Sequence, residues 1–408
     1  MSLQHDRLTR IHTAANQLIF AGKTTAELAA IAGQTPCYIY DRQLITARIE
    51  HLRKMLPKAL KLHYAIKANP MPAVVQHIGS QVDGLDVASH KELLTALATG
   101  KAPTQISCAG PAKSEKELLA AITSGVIINV ESETELQRIE AISHQFGKKA
   151  KIAFRVNPAF ELKSSGMKMA GGPKQFGIDS EQLPEILTNL DLNRIELHGL
   201  HIFSGSQNLN TDALIETHQK TFELAAELAQ ASRVPFQHIN IGGGFGIPYF
   251  PGEQALDLAP IAENLNVLMD SRSESIQNSE IVIELGRYIV GEAGIYLCEV
   301  TDKKISRGQT FLMTNGGLHH HLSNSGNFGQ VIRKNYPVMI ANRHLSDELE
   351  KVEIVGPLCT PLDIVGAKLE LPKAEIGDHI VVFQSGAYGA TASPQQFLSQ
   401  PDLVEIMI

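Results

Sequence analysis

The sequence lacks any uncharged run of about 18 apolar residues, so no membrane-spanning helix is expected. It lacks a basic stripe as well. Acids outnumber bases to give a net charge of -7, and the two signs are interleaved along the chain, so no nucleic-acid partner is expected. Only four cysteines occur, Cys37, Cys108, Cys298 and Cys359, widely scattered and without a CxxC pair. That pattern excludes a dense disulfide framework and suits a reducing cytoplasm. The first residues, MSLQHDRLTR, carry charges where a secretory signal needs an apolar core. Low-complexity linkers and solenoid-type repeats are absent too. What remains is a 408-residue chain, 43% apolar and 19% charged, the size of one large globular domain plus a smaller one.

A short apolar strand followed by an amphipathic helical stretch recurs along most of the chain. The predicted strands are 63–67, 84–87, 106–109, 126–130, 152–156, 197–203, 238–241 and 281–285, with helical patterns at 91–98, 114–122, 133–145, 213–231 and 258–270. Eight such units imply an α/β fold, a closed parallel (β/α)8 barrel, in preference to an open doubly wound sheet. Beyond Arg287 the texture becomes strand-like, at 293–300, 310–314, 352–355 and 379–383, joined by Gly, Pro and Asp turns. The expected domains are therefore an N-terminal helical segment with a strand joining the β domain (1–44), the barrel (45–287) and a β-sandwich-like C-terminal domain (288–408). Strand 36–40 is expected to join the last of these, with the amphipathic stretch 8–32 ahead of it.

Barrel active sites gather at the C-terminal ends of the strands. Lys67, Asp86, Arg155, His201, the Gly242–Gly246 run and Glu284 all stand at or just past predicted strand ends. Lys67 closes LHYAIK, and alternation puts His63, Ala65 and Lys67 on one face. A desolvated lysine there is a nucleophilic amine, although a lysine snorkelling out at a strand end would look the same. The run INIGGGFGIPY lets backbone amides approach a phosphate. Its GGGFG spacing and Pro248 do not match a dinucleotide fingerprint, and a tight turn is the plainer alternative. Glu284, before Gly286-Arg287, suits a partner for a protonated pyridine nitrogen or, alternatively, a Glu–Arg ion pair. Arg287 could instead bind a substrate carboxylate. Cys359, in GPLCTPLD, lies among turn residues where a thiol is free to act as an acid. The triplet His319–His321 has no acidic or cysteine partner nearby in sequence, and no metal is expected there.

The motifs HYAIKANP, GLDVASHKEL, RVNP, GSQ, GGGFG, ELGR, GPLCTPLD and SGAYG occur in the order found in the ornithine and diaminopimelate decarboxylases, the alanine-racemase-like fold, and the chain resembles that family over most of its length. The resemblance implies pyridoxal 5'-phosphate held by Lys67, with Ser206, Gly243, Gly244, Gly246 and Tyr388 on its phosphate. Glu284 would face the pyridine nitrogen, Asp86 and Glu92 would support Lys67, and Arg155, His201 and Phe203 would complete the cofactor site. It also implies a homodimer whose β domains donate Cys359 and Asp363 across the interface. Arg287, Arg333, Thr360 and Asp363 are the substrate-binding candidates.

Three departures stand out. Phe203 replaces a histidine that usually stacks on the cofactor ring, Gln175 replaces a common lysine, and Thr360 replaces the acid that reads a distal amino group. All three fit a subgroup that the chain resembles more closely through SGMKMAGGPKQFGID, HIFSGSQNLN, GGGFGIPYFPG and GGLHHHL. It comprises the decarboxylases associated with exosortase A and exopolysaccharide loci and the butirosin-pathway decarboxylase of a glutamyl group on an acyl carrier protein. The expected activity is α-decarboxylation by a cytoplasmic enzyme, with Lys67, Glu284 and Cys359 catalytic and an aminoacyl thioester on a carrier protein as substrate. Arg333 and Lys334 are the candidates for a basic patch meeting an acidic carrier. Diaminopimelate decarboxylation and a non-catalytic cofactor carrier are the alternatives.

Overall fold

The computed structural model of the protein describes residues 5–161, 167–328, 330, 332–343 and 348–408. Ser165 and Gly166, the start of the motif SGMKMAGG, lie outside the described residues. The chain forms two compact units: residues 46–247 with 256–288, and residues 1–45, 248–255 and 289–408.

The first of these is the barrel. Its strands are β1 (Lys61–Ala65), β2 (Gly84–Val87), β3 (Ile106–Cys108), β4 (Ile127–Val130), β5 (Ala150–Asn157), β6 (Ile195–Ile202), β7 (His238–Gly243) and β8 (Glu280–Leu285). All neighbours are parallel, and β8 returns to pair with β1 through Val282↔Lys61 to Leu285↔Tyr64, so the sheet closes. The strands are buried on both faces, as a barrel wrapped by helices requires. Polar side chains start the intervening helices. Ser89, Ser114, Ser132 and Asn210 each accept the backbone N–H three residues on, which satisfies amides that a helix start leaves bare.

Lys67 sits differently from its sequence reading. The last extended residue is Ala65, and Ile66–Ala68 wind into a 3-10 turn, so Lys67 projects from the rim just past β1 and strand alternation does not govern it.

In the other unit, the 13-residue strand Gly294–Ser306 is the backbone of the fold. It pairs with Cys37–Tyr40, His379–Val382 and Gln309–Thr314, and the last leads on to Leu349–Val355 and Ile364–Pro372. Val404–Met407 pairs in parallel with the far side of Cys37–Tyr40. Leu18, Phe20, Leu28, Ile39, Ile295, Leu297, Val381 and Phe383 form the core. The N-terminal stretch is not mainly helical, contrary to expectation. His12–Ala14, Gln17–Phe20 and Lys23–Thr24 form a three-stranded antiparallel sheet, followed by the single eight-residue helix Thr25–Ala32. Two-residue turns at Ala15-Asn16 and Ala21-Gly22, all four residues with positive φ, make the hairpins. An Ala-Asn turn carries little of the sequence signal that Asn-Gly would.

Candidate active site

Every barrel strand carries a buried polar side chain: His63, Asp86, Ser107, Asn129, Arg155, His201, Asn240 and Glu284 run from β1 to β8 in order, and Asn157, His198 and His238 are buried on β5, β6 and β7 besides. Buried polar groups cost several kcal/mol each unless paired, so this ring must be bonded. Asn129 Nδ2 donates to Ser107 Oγ at 3.2 Å, and Ser107 Oγ donates to Asp86 Oδ1 at 2.5 Å. His63 Nδ1 meets the same oxygen at 3.1 Å. Between β6 and β8, His201 Nε2 lies 3.0 Å from Glu284 Oε2.

Lys67 faces the other oxygen of Glu284, with Nζ 3.7 Å from Oε1 and 5.2 Å from the centre of the Phe203 ring. Burial alone would raise the Glu284 pKa. The charge of Lys67, then the His201 hydrogen bond and more distantly Arg155, outweigh it and hold Glu284 well below the usual carboxylate range. At neutral pH this is a buried, ionised carboxylate beside a primary amine. Glu92 accepts the Ala88 N–H at 2.7 Å, and burial raises its pKa against the pull of that bond and of Lys67.

The glycine run begins at the end of β7, with Gly242 and Gly243 inside the strand. Gly242 and Gly244 have φ near 72° and 80°, which side-chain-bearing residues rarely adopt. A Cβ on Gly244 would stand 2.4 Å from the Gly205 carbonyl oxygen, and one on Gly243 would stand 2.0 Å from that of Glu284. The run is thus pressed against the segment bearing Ser206, whose buried Oγ has no partner among the described residues. Asp86 Oδ2 and His201 Nδ1 are likewise buried without a described partner. A lysine amine, an ionised carboxylate, an aromatic face and an unsatisfied hydroxyl beside tightly packed glycines fit pyridoxal phosphate, which needs an attachment point, a partner for its ring nitrogen, a stacking face and donors for its phosphate.

Glu131 is a functional-looking group that the sequence reading passed over. It receives Arg155 Nη1 at 2.8 Å and the N–H groups of Gly110 and Gly177, tying three rim loops to one carboxylate. The Arg155 guanidinium also covers the Phe176 ring at 4.7 Å. The sequence marks His63 only as a member of an alternating face. Its burial opposes its charge, yet Asp86 raises its pKa. Nothing local marks either residue, because their partners come from neighbouring strands and loops.

The remaining candidates divide by unit. Arg287 opens the short helix Arg287–Val290 directly after β8. Cys359, Thr360, Asp363, Arg333 and Tyr388 belong to the β unit. Cys359 is exposed, and Thr360 Oγ1 accepts the Leu362 N–H at 3.3 Å. Asp363 is buried, its two oxygens taking the N–H groups of Leu318 and Leu358 at 2.6 and 2.8 Å, so its carboxylate is spent on shaping the Cys359 loop. Arg333 likewise donates inward, from Nε to the Ser325 carbonyl and from Nη1 to Asn335 Oδ1. Tyr388 has a φ of 52°, and its carbonyl accepts Ser323 Oγ. The histidine triplet is buried: His321 Nε2 contacts Ser385 Oγ and its Nδ1 caps the helix Leu322–Ser325, while His320 Nδ1 faces the Tyr296 hydroxyl. Among the described residues no group of three or more His, Cys, Asp or Glu is arranged to hold a metal ion, and no helix is long and apolar enough to cross a membrane.

Comparison with known proteins agrees with this geometry. The family model described as pyridoxal-dependent decarboxylase, pyridoxal binding domain, matches residues 42–291. The chain is 36% identical to the L-glutamyl-(BtrI acyl-carrier protein) decarboxylase of Niallia circulans, over 94% of this chain and 91% of that one. It is 33% identical to the diaminopimelate decarboxylase of Aquifex aeolicus, over 96% and 90%. Among solved structures, the diaminopimelate decarboxylase of Helicobacter pylori complexed with L-lysine superposes with a TM-score of 0.83 at 26% identity, covering 94% of each chain. The barrel with its mostly β second unit, the lysine at the rim of β1 and these relatives together identify the chain as a member of the pyridoxal-phosphate-dependent decarboxylases, carboxy-lyases of the alanine-racemase-like fold.

Proposed function

We propose that the protein removes the α-carboxylate from an aminoacyl group whose far end is uncharged, presented as a thioester on an acyl carrier protein. The observation that carries the substrate assignment is Thr360. It stands directly after the exposed thiol of Cys359 and offers a hydroxyl where a carboxylate would be needed to bind a distal ammonium. The 36% identity with a relative named for a glutamyl group on a carrier protein supports the same substrate.

In this reading Lys67 Nζ is the attachment point, Glu284 holds the ring nitrogen, and Phe203 packs on the ring. Ser206, Gly243, Gly244, Gly246 and Tyr388 hold the phosphate, and Asp86 and Arg155 complete the cofactor site. Pyridoxal phosphate bound there supplies a sink for the electron pair released as the carboxylate leaves. Cys359 Sγ or Lys67 Nζ returns a proton to Cα. Arg287 meets the substrate, while Asp363 and Arg333 serve by holding the loops of the β unit. The assembly proposed is a cytoplasmic homodimer in which a partner subunit's Cys359 completes each site.

A second reading is diaminopimelate decarboxylation, which the 33% identity with the Aquifex aeolicus enzyme favours and Thr360 opposes. The deciding experiment incubates purified protein with free glutamate, meso-diaminopimelate, lysine and ornithine, and separately with the same groups loaded on acyl carrier proteins. The expected result is CO2 and the matching mass loss from a carrier-bound substrate alone. Rapid turnover of free meso-diaminopimelate would overturn the carrier reading, and no loss from any tethered group would count equally against it.

A further inference from the structure

We propose that His201 is the positioning residue of this site, fixing the aim of Glu284 through one oxygen so that the other stays directed at the cofactor. The inference rests on the cofactor reading above and assigns to His201 a task distinct from contact with the cofactor itself.

Three observations lead there. First, β6 and β8 are not neighbours. β7 lies between them, and the register places His201 beside Asn240 and Gly243 beside Glu284. The His201 imidazole nonetheless reaches Glu284 Oε2 at 3.0 Å, past a stretch of β7 that shifts register between Asn240 and Gly243 and carries glycines at its end. Second, the bond has a forced direction. Glu284 is an anion and can only accept, so His201 donates from Nε2. Its Nδ1 is buried with no partner among the described residues, so no second bond competes for the orientation of the ring. Third, the two oxygens of Glu284 are divided between two partners, Oε1 to Lys67 and Oε2 to His201. The Lys67 amine is taken up when it holds the cofactor. The His201 bond joins the strand framework of β6 and β8 and does not depend on Lys67, so it is the restraint that remains on the carboxylate.

The test compares wild type, His201→Leu, which removes the donor, and His201→Gln, whose amide can replace it. Cofactor affinity is measured by equilibrium dialysis of the apo-protein, and the absorbance of bound pyridoxal phosphate is followed against pH. A hydrogen bond to a charged group is worth about 10- to 100-fold in an equilibrium constant, so His201→Leu should weaken cofactor binding by about that factor and move the spectral titration, with His201→Gln recovering most of both. Wild-type affinity and an unmoved titration in His201→Leu would overturn the proposal. Should His201→Leu fail to fold, nitrogen NMR of histidine-labelled wild type decides alone. The Nε2-protonated tautomer is expected in apo and loaded protein, and a proton on Nδ1 only would refute the assignment. Borohydride reduction distinguishes this failure from failure of the cofactor reading. A fixed adduct on Lys67 with unaffected His201→Leu sinks the positioning role alone, whereas no adduct on Lys67 sinks the reading beneath it.

Discussion

Acid should loosen the barrel through a histidine that the chemistry does not use. His218 lies on the buried face of helix Thr211–Ala231, its ring 6.3 Å from that of Phe245 in the glycine run. Burial depresses its pKa from 6.5 to about 4. Between those values the unfolded chain binds the proton and the folded chain does not, so stability is complete above pH 6.5 and is lost as pH falls toward 4. At about 1.4 kcal/mol per pH unit, one such histidine removes about 2 kcal/mol by pH 5 and about 3 kcal/mol by pH 4. His218→Leu replaces a ring whose Nδ1 has no described partner, so it forfeits little bonding and abolishes this titration. Urea unfolding of apo-protein at pH 7.5 and pH 5, with hydrogen exchange along 211–231 to localise the change, reads the difference. Buried His320 and His321, each pushed down to about 3, destabilise both proteins alike, so the comparison isolates His218. The variant should gain about 2 kcal/mol relative to wild type on going to pH 5. Parallel pH curves for the two proteins would refute the argument. Because Phe245 stands in the glycine run, cofactor retention should fall over the same pH range in wild type.

Further outcomes follow from the site. Ser206→Ala should leave apo-protein stability almost unchanged, since Oγ has no described partner, yet weaken cofactor binding about tenfold by equilibrium dialysis. Thr360→Glu should lower turnover of a carrier-bound substrate and introduce measurable CO2 release from a free diamino acid; retention of the original preference would remove Thr360 from the specificity argument. Asp363→Ala strands two buried amides at roughly 1–3 kcal/mol each, to be seen as a lower melting temperature and early proteolytic cleavage near Cys359.

Much of the barrel is legible in the sequence because its signal is local: short β-branched runs such as VIINV and IVIEL alternate with amphipathic stretches introduced by serine or asparagine caps. The site is legible where chemistry and strand end coincide, as at Glu284 and the glycine run. Lys67 stands at the rim, as the predicted strand end implies, but by a turn in place of strand alternation, since the chain leaves the strand at Ala65. Glu131 and the His201–Glu284 bond were invisible because their meaning lies in contacts between segments far apart in sequence. The N-terminal hairpins were missed because Ala15 and Asn16 take left-handed conformations for which Ala has no preference.

The strand Cys37–Tyr40 has a consequence for synthesis. Its two partners are Gly294–Leu297 and Val404–Met407, so it emerges from the ribosome early, stays without the first until residue 297 is made and without the second until residue 407. Until the first arrives the apolar CYIY carries two open edges, the configuration most prone to pairing with another chain. Barrel residues can meanwhile close among themselves, since the 46–247 and 256–288 segments supply all eight of its strands. Folding of the β unit thereby waits for residues 404–407, whose pairing closes a loop of several hundred residues.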